Sequence, residues 1–333
     1  MRTFDYKTRY KRVLQPDTAA LIAQIHEYKG AQLFFVEENA DMLALLAEIA
    51  KIESTEASNK IEGIYASDDR LKMIVRDKTM PRTKDEKIIA GYRDVLNAIH
   101  ENYDYIPVKS SELLQLHRDL YKFSGKVGGS FRAGGIAAEE ISAYIDGICN
   151  AYQDACNDQQ CDLLVMIPMF LLDFLCVRPF SDGNDRMSCL VLLLLLERAG
   201  YHVGMYISLE KLIEQTRETY LETLRQSSYR WAEKKNDDIP FVRYILEIVA
   251  AAYRDLFSKA RQFDANGISK QERVRMFVRG TPGEITRAQI MEKCPNISQV
   301  TVERALTDMV KKGEILKIGG GRYTSYIWNR EKE

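Results

Sequence analysis

Between two strongly apolar stretches lies RPFSDGNDR, residues 178–186, with two aspartates and an arginine among its last five positions. A loop that feeds a helix N-terminus presents free backbone N–H groups and the positive end of the helix dipole, so it can hold an anion such as phosphate. Within it, Asp182 can ligate Mg2+, Gly183 lets the backbone approach a ligand, Asn184 can donate an amide hydrogen bond, and Arg186 can fork onto phosphate oxygens. The same residues also suit a plain turn in which Asp182 and Asn184 cap the next helix and Arg186 pairs with a carboxylate. Residue chemistry alone leaves both readings open.

The elements that must position this loop are helical. DLLVMIPMFLLDFLCV before it and MSCLVLLLLLERAG after it are apolar nearly all round, which predicts two buried helices that anchor the loop at both ends. Upstream, TAALIAQIHEYKGAQLFF and ADMLALLAEIAKIESTEASNKIEGI carry i, i+3, i+4 stripes, and Gly63 can end the second. Thr83 and Glu86 predict a capping box, and SSELLQLHRDLYKF is a further helix after Pro107. Residues 124–136, SGKVGGSFRAGGI, place five glycines around Phe131 and Arg132 and predict a short β-hairpin or a mobile flap. ISLEKLIEQTRETYLETLRQSS and PFVRYILEIVAAAYRDLFSKARQF complete a mainly α body.

The 333 residues carry a net charge of −1, but residues 270–333 hold 13 Lys and Arg against 8 Asp and Glu, leaving 34 against 40 elsewhere. A basic tail on an acidic body predicts a separate partner for the tail. Its pattern, three short helices then EILKIG and RYTSYIW about Gly319–Gly321, resembles a winged helix-turn-helix with Ser298–Lys311 as recognition helix. Ser298, Gln299, Thr301, Arg304 and Arg322 are then the DNA-binding candidates. Such tails also serve protein contacts, so a homodimer is a second expected partner. Six cysteines without a C-x-x-C pair, and four histidines without metal-like spacing, predict a reducing compartment and no structural zinc. No stretch reads as a signal peptide or a membrane span, so the expected location is cytoplasmic, with no membrane partner.

RPFSDGNDRMSC is similar to the Fic family signature, H-P-F-x-[DE]-G-N-G-R-x-x-R, at Pro179, Phe180, Asp182, Gly183, Asn184 and Arg186. EASNKIEGI resembles the family's inhibitory motif, [ST]-x-x-x-E-[GN], through Ser58, Glu62 and Gly63, and the stretch around Phe131 and Arg132 takes the place of its target-positioning flap. The resemblance implies a Fic-type helical bundle with a β-hairpin flap and a winged-helix tail. It divides the chain into an N-terminal region 1–80, a core domain 81–265 and a tail 268–330. It further implies ATP with Mg2+, and AMP transfer to Ser, Thr or Tyr hydroxyls of a protein target. Asp182 would hold Mg2+; Gly183, Asn184 and Arg186 would hold the phosphates.

Three signature positions depart. The general-base histidine is Arg178, which keeps its proton and so cannot accept one. The glycine after Asn184 is Asp185, which adds negative charge near a polyphosphate and puts a Cβ where a strained backbone is expected. The final arginine is Cys189, so Glu62 is expected to lose its partner and stand solvated near a helix end. Among the histidines, His117 is the one to check for proximity. The expected function is therefore a Fic-fold protein, weak or inactive in transfer, that binds a nucleotide or phosphate and acts as a regulator. The alternatives are AMP or other phosphate-group transfer by substrate-assisted proton loss, and DNA-binding regulation through the tail.

Overall fold

A helix without a polar face is stable only where other helices cover it, and two such helices form the centre of the first of two units. The computed structural model describes residues 2–38, 40–133, 138–158, 161–265, 270–281, 283–294, 297–321 and 324–329. The chain divides into two compact units, Met1–Glu37 with Leu45–Leu256, and Glu38–Ala44 with Phe257–Glu333.

In chain order the first unit draws on α1 (Tyr6–Val13), α2 (Pro16–Glu38), α3 (Ala40–Ile61), α4 (Asp68–Val75), α5 (Lys84–Asn102), α6 (Ser110–Leu120), α7 (Ala138–Cys156), α8 (Leu163–Val177), α9 (Asn184–Arg198), α10 (Leu209–Gln215), α11 (Arg217–Ser228) and α12 (Ile239–Ala265). α8 and α9 pack on each other, with α7, α1 and α11 against α8 and α5 against α9. Phe170, Phe174, Met187, Leu190 and Leu193 are among the side chains sealed there. The only loop between these two helices is residues 178–183, so its ends are held by the core.

Thr83 caps α5 as the sequence predicts, but the reciprocal half of the expected capping box goes to other partners. The Thr83 hydroxyl accepts from Glu86 N–H at 3.1 Å and opens α5, while the Glu86 carboxylate turns to Arg82 N–H and to the Arg70 guanidinium. Gly63, at φ +75°, lies just beyond α3. One charge of α8 is deliberately matched: Asp173, fully buried, accepts from Arg9 at 2.5 Å and from the Trp231 indole at 2.7 Å, and Arg9 also forks onto Asp238 at 2.9 and 2.6 Å. This ties α1 to the centre of the bundle.

The flap differs from the expected hairpin. Residues 124–133 form turns and an extended run with no strand, because their backbone bonds α6 and the 178–183 loop instead of each other; residues 134–136 lie outside the described residues.

The second unit contains α13 (Lys270–Gly280), β1 (Glu284–Thr286), α14 (Arg287–Lys293), α15 (Gln299–Lys312), β2 (Ile315–Ile318) and β3 (Ser325–Trp328). The strands form an antiparallel sheet in the order β1-β3-β2, with Ile285 opposite Tyr326 and Ile315 opposite Trp328. Val274, Ile290, Val302, Leu306 and Ile315 fill its core. β1 is a strand that apolar periodicity did not predict; at three residues it is too short for an alternating pattern to register.

Candidate functional site

Phe180 pins the loop to the bundle. It is 1% exposed and stacks flat on His117 of α6, with ring centroids 3.8 Å apart and planes 3° from parallel. His117 Nδ1 accepts from Gly129 N–H at 2.9 Å, so the network assigns the proton to Nε2, which faces the Asp182 carbonyl at 3.1 Å. Burial pushes its pKa down, so the ring is neutral at pH 7. His117 is therefore next to the loop, but with both nitrogens engaged it has no lone pair to act as a base.

Arg178 caps α8 in the left-handed region at φ 45°, and its guanidinium lies 3.3 Å from Asp185 Oδ2. Two of the three departures from the signature thus pair with each other. Asp185 sits in the first turn of α9, where a carboxylate is favoured by the helix dipole, and its backbone is ordinary helix; the expected strain is absent because the turn is made at Gly183. Gly183 has φ +76°, and a Cβ there would come within 2.8 Å of the Tyr121 hydroxyl.

Asn184 was expected to face a ligand. Instead its Oδ1 accepts from Phe180 N–H at 3.0 Å and its Nδ2 donates to Phe180 O at 2.8 Å, so the buried amide braces the loop itself.

Arg186 is wholly buried, and the structure corrects the expectation for Glu62. Arg186 Nε donates to Glu62 Oε2 at 2.6 Å and Arg186 N–H donates to Oε1 at 3.3 Å, so the carboxylate of α3's C-terminal turn sits on the N-terminus of α9. Glu62 needs no residue at position 189 because Arg186 itself is within reach. Arg186 Nη2 donates to Tyr121 Oη at 2.6 Å, while Nη1 is buried without a hydrogen-bond partner. Cys189, one turn along α9, is buried beside Ser58, and burial pushes its thiol pKa well up, so it is no nucleophile.

Asp182 is half exposed. Its Oδ2 accepts from Lys126 Nζ at 2.6 Å, and its Oδ1 from Gly183 N–H at 2.9 Å. Partial burial would raise its pKa, but hydrogen bonds from Lys126 and Tyr121, with the Lys126 and Arg186 charges, outweigh that and hold it below the usual carboxylate value. The carboxylate expected to hold Mg2+ thus pairs with an ammonium in this structure. Lys126 and Tyr121 carried no signal in the sequence, since nothing there relates a flap lysine or an α6-end tyrosine to an aspartate some 60 residues on.

The flap meets the loop through Arg132, whose N–H donates to Pro179 O at 2.9 Å and whose Nε donates to Arg178 O at 2.8 Å; Phe131 stacks at 6.1 Å from Phe180. Elsewhere, His100 pairs with Glu197 and His26 with Asp162. In the tail, Ser298 is the N-cap of α15 and accepts from Thr301 N–H at 3.4 Å, Gln299 donates to Glu303 at 2.9 Å, and Arg304 is exposed; Arg322 lies outside the described residues. Acidic Glu303 and Asp308 on α15 pair with Arg287, and with Arg275 and Lys312.

Residues 107–196, which hold α6, the flap, α7, α8, the loop and nearly all of α9, match the Fic/DOC family. The chain thus carries a Fic/DOC family domain. Its fold is similar to a Fic family protein from Desulfovibrio desulfuricans G20 (TM-score 0.64, 19% identity, covering 95% of this chain and 97% of that one). It is similar also to a Fic domain containing signaling protein from Bacteroides thetaiotaomicron VPI-5482 (0.58, 17%, 72% and 95%) and to Fic-1, residues 134–508, from C. elegans (0.59, 17%, 74% and 73%). No curated protein matches the chain. Among the described residues no helix is long and apolar enough to cross a membrane.

Proposed function

We propose that the chain is a Fic-fold nucleotide- or phosphate-binding protein, weak or inactive in AMP transfer, that acts as a regulator through what it binds. One observation carries this reading: a fully buried arginine at a helix N-terminus whose Nε and backbone N–H both donate to one carboxylate, as they would to a phosphate, while Nη1 has no hydrogen-bond partner. Glu62 is then an internal anion in an anion site, and a phosphate ligand competes with it.

The weakness of transfer follows from the groups around the loop. Attack by a hydroxyl on an α-phosphate needs a proton acceptor. Arg178 cannot serve, His117 has no free lone pair, and the carboxylates of Asp182 and Asp185 face Lys126 and Arg178. Label transfer from α-labelled ATP to lysate protein tests this in a Glu62→Gly background, which opens the site. Glu62→Gly alone should transfer about 10²–10⁴-fold more slowly than Glu62→Gly with Arg178→His. Equal rates would mean that the chain is an active transferase with another route for the proton.

A further inference from the structure

The charges that bond one another around the loop come in balanced pairs: Lys126 with Asp182, Arg178 with Asp185, and Arg186 with Glu62. A phosphate that replaces Glu62 exchanges one anion for another. A divalent cation has no such exchange open to it. At Asp182 it would have to displace the Lys126 ammonium from Oδ2 and then lie near Arg186, whose Nη2 is 3.9 Å from Oδ1. These residues do not fit Mg2+.

We infer that Lys126 is the built-in cation of this site, and that a polyphosphate is bound between Lys126 and Arg186 without a divalent metal. This rests on the phosphate-binding reading above and adds the cofactor requirement to it. An ammonium has three donors and one is used on Asp182, so Nζ can bridge that carboxylate and a phosphate oxygen, which is the link a metal ion otherwise makes. Lys126 and Arg186 are already neighbours of one ring: Nζ lies 5.6 Å and the guanidinium carbon 5.2 Å from the Tyr121 centroid. The independent sign of a ligand is Arg186 Nη1, buried in a fully enclosed side chain and unpartnered, since a buried donor of this strength is normally satisfied. Lys126 is about half exposed, so its two remaining N–H donors can meet an incoming anion while Nζ stays on Asp182.

Calorimetry on the full chain and on Glu62→Gly, with ATP and separately with inorganic tripolyphosphate, in excess EDTA and in Mg2+, tests the assignment. Glu62→Gly should bind ATP as tightly in EDTA as in Mg2+. Adding Lys126→Met should weaken the EDTA value by about tenfold or more, and Lys126→Arg should restore it. Lys126 is exposed on the flap, so these variants leave the folded core untouched. Equal binding of tripolyphosphate assigns the contact to the phosphate chain alone, and binding of ATP only assigns it to a nucleotide; either supports the role of Lys126. Binding that needs Mg2+, or that is unchanged by Lys126→Met, overturns it. No binding by any form, in either buffer, overturns the phosphate-binding reading itself.

Discussion

Two arginines in the first unit reach carboxylates far along the chain, and they do so for different ends. Arg9 meets Asp173 and Asp238 in a buried network in which the Asp173 oxygens are also met by Trp231, and Arg9 has a carboxylate on both sides of its guanidinium. Arg186 hydrogen-bonds a single carboxylate, Glu62, with Asp182 Oδ1 more distant at 3.9 Å from Nη2, keeps one Nη without a partner, and is flanked by the exposed pairs of Lys126 with Asp182 and Arg178 with Asp185. An arginine whose three guanidinium nitrogens are all engaged has nothing to offer a ligand, and Arg9 fastens α1 to α8. An unsaturated one next to solvent-facing pairs can exchange its carboxylate for another anion. Saturation, more than burial, separates a structural ion pair from a site.

The largest effect should come from breaking the saturated network. Arg9→Ala leaves Asp173 and Asp238 buried without their main partner and should cost about 3–5 kcal/mol in urea unfolding, with no recovery on adding phosphate or any other anion. A cost below about 1 kcal/mol would mean that water or Arg2 replaces Arg9, and the contrast with Arg186 would lose its first half.

A smaller effect should appear at His117, which holds the flap to the loop only as a neutral ring. Its pKa is lowered in the folded chain, so the unfolded chain binds the proton more readily; the stability tied to it is complete above the unfolded value of about 6.5 and falls as pH drops below that. Limited proteolysis at residues 124–133 should therefore speed up as pH falls below about 6.5, and His117→Gln should flatten that dependence. An unchanged profile in the variant would place the pH sensitivity elsewhere.

The sequence made the frame of the site legible and its closure illegible. α8, α9 and the loop between them follow from two apolar runs that flank a polar one, which is local information. Gly63 and the Thr83 hydroxyl mark ends by the same kind of local chemistry. The partner of Glu62 could not be read, because it depends on α3 delivering a carboxylate across 124 residues to Arg186, whereas the expectation placed it at position 189. Asn184 has the right chemistry for a ligand, but its amide reaches Phe180 first, a competition that only three-dimensional distance decides. Lys126 lay within the stretch read as a flap, and the flap docks by turns and side-chain bonds in place of strand pairing, so no periodic signal pointed to it.

In the proposed reading Glu62 stands where a phosphate would stand. Calorimetric titration of ATP into the unaltered chain and into Glu62→Gly measures this directly. Removal of the internal anion should tighten ATP binding by about tenfold to a hundredfold, because Arg186 then meets the ligand without a competitor. Equal affinity in the two proteins, or no binding in either, would mean that Glu62 and Arg186 are a second structural pair and that the loop is a turn.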